Sequence, residues 1–187
     1  ATDQMPAAPP VFPYEPLIRN VPDFPKPGIQ FKDITTLIKD GQALRAAVKT
    51  MARRYAETPV DVVVGIESRG FIFGTGLALE LGTGFVPARK PGKLPAKTVR
   101  CAYALEYGTD AVELHEDAIR PGQRVLIVDD LIATGGTARA TAELVRCCGA
   151  EVAGICVLVD LTNLHGDIGY PLHSLVTYVV DEEGAHA

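Results

Sequence analysis

The stretch VLIVDDLIATGGT, residues 125–137, decides the fold. Four apolar residues, Val125 to Val128, run into two adjacent carboxylates, Asp129 and Asp130. Small residues, hydroxyls and two glycines follow. A short β-branched run of this kind reads as a strand buried on both faces, the habit of a parallel sheet covered by helices. Ligands of such sheets bind beyond the carboxyl ends of the strands, where Asp129 and Asp130 fall. Two neighbouring like charges repel and are costly to bury dry. They suit a solvated cleft in which the hydroxyls of a vicinal diol donate to them. Ala133, Thr134, Gly135, Gly136 and Thr137 then lead into a helix. Backbone N–H groups at a helix start attract anions, and glycines keep any Cβ out of a phosphate's approach. Acceptors for a diol beside donors for a phosphate describe a socket for a ribose 5-phosphate. Neither GxxxxGK[ST] nor a GxGxxG after a strand occurs in the chain.

Outward from this stretch, strands and helices alternate. Leu44, Val48, Met51 and Tyr55 fall at helical spacing between Asp40, a suitable N-cap, and Pro59, a suitable stop. VDVVVGI (60–66) reads as a second buried strand, residues 71–81 as a helix closed by Gly82, and GFVPA (84–88) as a strand. Residues 137–148 read as a helix closed by Gly149, with VAGICVLV (152–159) and LHSLVTYVV (172–180) as further strands. The expected fold is therefore α/β, a parallel twisted sheet flanked by helices. One segment departs from the pattern. TVRCAYALEYGTDAVELH (98–115) alternates apolar and polar residues around Tyr107-Gly108-Thr109-Asp110, which predicts an inserted hairpin. The basic RKPGKLPAK segment (89–97) precedes it and is poor in core residues.

The chain of 187 residues suits one domain, and a chain of that size buries about 70% of its unfolded surface without disulfide or metal staples. A formal net charge of −5 argues against a broad nucleic-acid face. No apolar run approaches a membrane span. Cys101, Cys147, Cys148 and Cys156 show no zinc spacing and read as reduced thiols of a cytoplasmic protein. His115, His165, His173 and His186 show no ligand spacing and receive no chemical role. Residues 1–16 are Pro-rich and lack the features of a signal peptide; they are expected to form a flexible arm, with residues 17–187 as a single domain.

VLIVDDLIATGGT resembles the phosphoribosyl-pyrophosphate signature of type I phosphoribosyltransferases. FPKPGIQFKDIT (24–35), GIESRGFIFG (65–74), RKPGKLP (89–95) and LEYG (105–108) are similar to segments of the adenine-specific branch of that family. The resemblance implies transfer of a 5-phosphoribosyl group from 5-phosphoribosyl 1-pyrophosphate to adenine, giving AMP and pyrophosphate through an oxocarbenium-like state. It implies Mg²⁺, held mostly through substrate and water near Asp129, and a homodimer in which Arg89 reaches the neighbouring site. It also implies a small hood over the core from about residues 17–40 and part of the C-terminal third, and a flexible lid over about 95–115. Asp129 and Asp130 would hold the ribose diol and favour positive charge on its ring, and residues 133–137 the 5′-phosphate. Ser68, Arg69 and Gly70, after a cis peptide, would hold pyrophosphate with Arg89, Lys90 and Lys93. Gln30 and Lys32 would read adenine largely through backbone groups, with Phe31 and Leu161 as walls. Glu106, beside Tyr107 in the lid, would manage the proton of the base. A purine transferase acting on hypoxanthine, guanine or xanthine is the nearest alternative. A non-catalytic regulator that binds nucleic acid is more distant and lacks here an added domain or a broad basic face.

Overall fold

The computed structural model describes residues 12–104 and 109–180. The chain enters through a 3-10 turn at Glu15–Leu17, then forms β1 (Arg19–Pro22) and β2 (Gln30–Asp33), an antiparallel pair of its own. A short helix α1 (Thr35–Ile38) leads to α2 (Gly41–Arg54). Then follow β3 (Val62–Ile66), α3 (Gly70–Leu81), β4 (Gly84–Ala88), β5 (Thr98–Ala104), β6 (Thr109–His115), β7 (Arg124–Ile132), α4 (Gly136–Cys147), β8 (Glu151–Leu161) and β9 (Leu172–Tyr178). The main sheet has the order β4-β3-β7-β8-β9, and each of its neighbouring pairs is parallel. β5 and β6 form the expected hairpin, antiparallel and apart from the main sheet.

Strand alternation divides the core in two. Val62, Val64, Val125 and Ile127 turn to one face and pack with Ala140, Leu144 and Val145 of α4 and with Val112 and Leu114 of β6. Val63, Leu126, Val128 and Leu158 turn to the other and meet Ala43, Ala47 and Met51 of α2 and Phe73 and Leu77 of α3. Successive side chains of a strand point to opposite faces, so a strand apolar at every position needs cover on both sides. The hairpin completes that cover beside α4.

Helix ends follow their sequence signals. The Asp40 carboxylate accepts from the backbone N–H groups of Gln42 at 2.9 Å and Ala43 at 3.1 Å, satisfying two donors the helix cannot. Asp40→Ala is expected to lower stability by about 1 kcal/mol, seen as a Tm about 2–4 °C lower for a chain of this size. An unchanged Tm would show that the cap contributes nothing. Gly82, in the left-handed region at φ 68°, closes α3.

Several boundaries move. β7 does not stop at Val128 but continues through both carboxylates to Ile132, because β8 goes on pairing with it as far as Ile132↔Asp160. Its pairing with β3, however, ends at Gly65↔Val128. Asp129 and Asp130 therefore lie past a strand end on one side only. Thr109 pairs with Ala104, so Thr109 and Asp110 belong to β6 rather than to the hairpin turn. The turn itself, Leu105 to Gly108, lies outside the described residues, and Glu106 and Tyr107 with it. β1, β2 and α1 have too few residues for periodicity to predict them. Tyr14 falls in the stretch expected to be an arm, but it is 5% exposed and its hydroxyl lies 2.9 Å from that of Thr50 on α2.

Candidate active site

The site forms where β3 and β7 part company. β3 ends at Ile66, and the chain turns through Glu67, Ser68 and Arg69 into α3, with a cis peptide between Glu67 and Ser68 as expected. Gly70 starts the helix directly against β7. A Cβ built on it would lie 2.8 Å from the Val128 carbonyl oxygen and 3.1 Å from both Cα and Oδ1 of Asp129. Only a glycine lets this loop approach the carboxylates so closely.

The two carboxylates take different partners. Asp130 is 6% exposed, and Arg69 donates through Nε to its Oδ2 at 2.5 Å. Asp129 Oδ1 accepts from the backbone N–H of Asp130 at 2.8 Å. Burial and then the charge of Asp130 hold the Asp129 carboxyl well above the usual carboxylate range. Burial opposes the charge on Arg69, yet the hydrogen bond and charge of Asp130 leave its pKa raised. The Arg69 guanidinium also lies 5.7 Å from the centre of the Phe31 ring, within cation–π range. Arg69 thus joins the β2 segment to the carboxylate pair.

Ala133 to Thr137 wrap one cleft, which Asp129 also lines. Gly135 has φ 81° at the N-cap of α4, a conformation that side chains resist. Arg139, one turn into α4, donates to the carbonyls of Thr134 at 2.8 Å and Asp167 at 3.2 Å, tying the loop to the segment after β8. That segment is held in turn by His165, whose Nε2 lies 2.7 Å from Asp160 Oδ1 and whose Nδ1 lies 2.9 Å from the Gly166 carbonyl oxygen. Both partners are acceptors, an arrangement that favours the protonated ring. Burial opposes that charge, but the bond to Asp160 raises the pKa. His165 is a structural clasp.

A second cleft is lined by Glu67, Arg89, Lys90 and Tyr103, and it shares Asp129 and Thr137 with the first. Arg89 Nε donates to Glu67 Oε2 at 2.7 Å, and Lys93 Nζ lies 3.0 Å from Glu67 Oε1. Burial works against ionisation of Glu67, but these two cations hold its pKa below the ordinary value. Lys90 instead pairs with Asp110 of β6 at 3.1 Å. Backbone bonds between Arg89 and Glu113, at 3.0 and 2.7 Å, fix the basic segment to β6. The three cations are gathered as the sequence predicts, but each already has a carboxylate.

The residues expected to hold a base are less closely assembled. Gln30 is exposed and accepts from Asn20 at 2.7 Å. Lys32 donates to Asn20 Oδ1 at 3.1 Å and lies 4.3 Å above the ring of Tyr178. Leu161, 8% exposed, is the register partner of Tyr178. Leu161 and Lys32 therefore meet at the same end of β9, whereas Phe31 faces Arg69 and lies edge-on to Phe24. Glu113, Tyr103, Arg139 and the Asp160–His165 pair escaped sequence reasoning. Only Tyr103 left a signal, the alternation of the hairpin.

A strand-end carboxylate pair, a glycine-opened anion loop and a cluster of cations are thus gathered around two joined clefts, groups whose chemistry suits a phosphorylated sugar bearing a second anionic group. Residues 35–171 match the family model of the phosphoribosyl transferase domain, and the chain belongs to the phosphoribosyltransferase family. An adenine phosphoribosyltransferase of Desulfitobacterium hafniense is 56% identical over 168 residues, covering 88% of this chain and 97% of the relative. The crystal structure of an adenine phosphoribosyltransferase from Thermoanaerobacter pseudethanolicus superposes with a TM-score of 0.85 at 49% identity, over 88% of this chain and 98% of that one. A third, from Giardia lamblia and complexed with 9-deazaadenine, gives a TM-score of 0.83 at 37% identity, over 88% and 96% of the two chains. Within its family the chain stands with the adenine phosphoribosyltransferases.

Proposed function

We propose that the protein transfers the 5-phosphoribosyl group from 5-phosphoribosyl 1-pyrophosphate to adenine, releasing pyrophosphate and forming AMP. The observation that carries this reading is the sharing of Asp129 and Thr137 by two clefts, one an anion loop and the other lined by cations. A substrate with a phosphate at one end, a pyrophosphate at the other and a diol between them fits both at once. Its close relatives are adenine phosphoribosyltransferases, which supports adenine as acceptor.

The anomeric carbon–oxygen bond to pyrophosphate breaks, the N9 lone pair of adenine bonds to that carbon, and the ring proton, carried on N7, passes to Glu106. Positive charge develops on the ribose ring, and Asp129 and Asp130 stabilise it while accepting from the 2′ and 3′ hydroxyls. Residues 133–137 hold the 5′-phosphate. Ser68, Arg69 and Gly70, with Arg89, Lys90 and Lys93, receive the leaving pyrophosphate. Lys93 exchanges Glu67, and Arg69 exchanges Asp130, for phosphate oxygens as the substrate enters. Gln30, Phe31, Lys32 and Leu161 form the base pocket, in which backbone groups around Gln30 and Lys32 read the adenine edge. Glu106, with Tyr107 in the lid of about residues 95–115, manages the proton near N7 while the closed hairpin excludes water.

Asp129 and Asp130 are hard oxygen donors beside the place of the pyrophosphate, which suits Mg²⁺. The ion would be completed mostly by substrate oxygens and water. When bound, Mg²⁺ supplies Lewis-acid neutralisation of the pyrophosphate. The assembly we infer is a homodimer. Helix α3 is apolar nearly all round and leaves Ile72 38% and Leu79 78% exposed, a face suited to a second copy that would bring its Arg89 to this site. β1, β2 and α1 form the hood with part of the C-terminal third. The four thiols are unpaired, which suits the cytoplasm, and no helix among the described residues is long and apolar enough to cross a membrane.

Steady-state assays with 5-phosphoribosyl 1-pyrophosphate, Mg²⁺ and each purine test the assignment. AMP formation from adenine, at far higher kcat/KM than any product from hypoxanthine, guanine or xanthine, is the expected result. Turnover of those bases without adenine turnover would overturn it.

A further inference from the structure

The hairpin register places Val99 opposite Leu114, Cys101 opposite Val112 and Tyr103 opposite Asp110. Alternation puts these residues on one face, and Val99, Cys101 and Tyr103 all pack against the core shared with α4. Two apolar rungs thus end in a polar one, at the point where the hairpin reaches the cleft. A rung serving only as cover would be expected to stay apolar. The Tyr103 hydroxyl lies 3.0 Å from Thr137 Oγ1, which donates to it, and directs its own proton to Asp110, which also pairs with Lys90 at 3.1 Å. Tyr103, Lys90, Thr137 and Asp129 line the same cleft.

We propose that Tyr103 is a positioning residue for the 5′-phosphate, acting through the hydroxyl of Thr137 and linking the hairpin to the phosphate loop. This rests on the reading of Thr137 as a phosphate ligand. A threonine hydroxyl has one proton and rotates freely, so a neighbour must decide where that proton goes. The phenol can do so because it both accepts and donates. Without phosphate, Thr137 donates to Tyr103. With a phosphate oxygen at the loop, Tyr103 turns its proton from Asp110, which keeps Lys90, to Oγ1, and the Thr137 proton turns to the phosphate. The Oγ1 atom stays where it was, so no rotamer search accompanies binding.

Calorimetric binding of ribose 5-phosphate to the full chain, compared among the parent, Tyr103→Phe, Thr137→Val and the double variant, tests this without requiring turnover. Tyr103→Phe keeps the ring and its packing. It is expected to weaken ribose 5-phosphate about three- to tenfold, the scale of one neutral hydrogen bond. In the assay it should raise KM for 5-phosphoribosyl 1-pyrophosphate by a similar factor and leave KM for adenine unmoved. Thr137→Val should weaken binding at least as much, and adding Tyr103→Phe to it should change little further, because the two act through one proton. Unchanged or tighter binding by Tyr103→Phe, additive losses in the double variant, or equal rises in both KM values would overturn the proposal. A parent that binds ribose 5-phosphate but makes no AMP would overturn the proposed reaction and leave this test standing; a parent that binds none overturns both.

Discussion

Asp129→Asn is expected to reduce kcat about 100- to 1000-fold, the usual scale for removing one preorganised electrostatic contact to a transition state, while yielding a protein that melts above the parent. The two effects have one cause. Burial and the charge of Asp130 raise the Asp129 carboxyl well above its ordinary pKa. An acid whose folded pKa exceeds its unfolded one destabilises the fold as pH rises past the unfolded value near 3.9. The penalty grows until the pH passes the folded pKa and is constant above it. Asparagine carries no charge, still offers Oδ1 to the N–H of Asp130, and so removes the penalty at neutral pH. Scanning calorimetry should show a Tm a few degrees higher at pH 7, with the advantage shrinking toward pH 4. Positive charge on the ribose ring then meets one carboxylate rather than two, and turnover falls. Binding of AMP, which carries no oxocarbenium charge, should fall much less. A kcat within threefold of the parent would remove the transition-state role. Asp130→Asn provides the contrast, since Asp130 has a cationic partner in Arg69 at 2.5 Å. Arg69 is 46% exposed, so losing that pair costs little stability. Asp130→Asn should therefore lose turnover and gain less in Tm than Asp129→Asn, because it gives up the Arg69 pair along with the repulsion.

Gly70→Ala has the next largest expected effect, although the substitution adds one carbon to a residue that bears no functional group. Its Cβ would stand 2.8 Å from the Val128 carbonyl oxygen and 3.1 Å from Asp129 Cα, both backbone atoms at the centre of the sheet. β7 is hydrogen-bonded on both sides up to Val128, so α3 and its N-cap residue Arg69 must give way. Overpacking of this kind costs about 1–3 kcal/mol. A shift on the order of 1 Å between Arg69 and the carboxylates should cost about 100-fold in kcat/KM for 5-phosphoribosyl 1-pyrophosphate. Steady-state kinetics with a parallel melt would check both. An alanine variant with Tm and kcat/KM close to the parent would show that the close approach is not needed.

Much of the fold was legible because its signals are local. A β-branched run such as Val62–Ile66 with no polar face states that both faces are covered. Asp40 and Gly82 mark helix ends by their own chemistry, a carboxylate cap and a left-handed turn. The hairpin was readable from alternation, and Val99, Cys101 and Tyr103 lie on one face as the period of two requires. β1 and β2 left no readable pattern, because four residues are too few to display a period and pair only with each other. The exact extent of β7 was hidden for another reason. Pairing with β8 carries it to Ile132, and the partner residue there, Asp160, lies 28 residues later, so no window around Asp129 contains the information.

For the site, the residue types and their grouping along the chain were determined by sequence alone. Backbone donors after a strand, two carboxylates and a basic segment have chemistry that does not depend on what surrounds them. Tertiary structure alone decided the pairings. Glu67 holds Arg89 and Lys93, Asp130 holds Arg69, Asp110 holds Lys90, and Tyr103 reaches Thr137. Apart from the Lys90 pair, each of these joins residues from elements that are brought together by the order β4-β3-β7 or by the hairpin folding onto α4. Charge and hydrogen bonding act over a few ångströms, whereas the partners lie 20 to 60 residues apart in the chain. Sequence could name the groups that a phosphorylated sugar needs. Which carboxylate each cation meets before the substrate arrives, and which one is left with a raised pKa, depended on the distances that only folding sets.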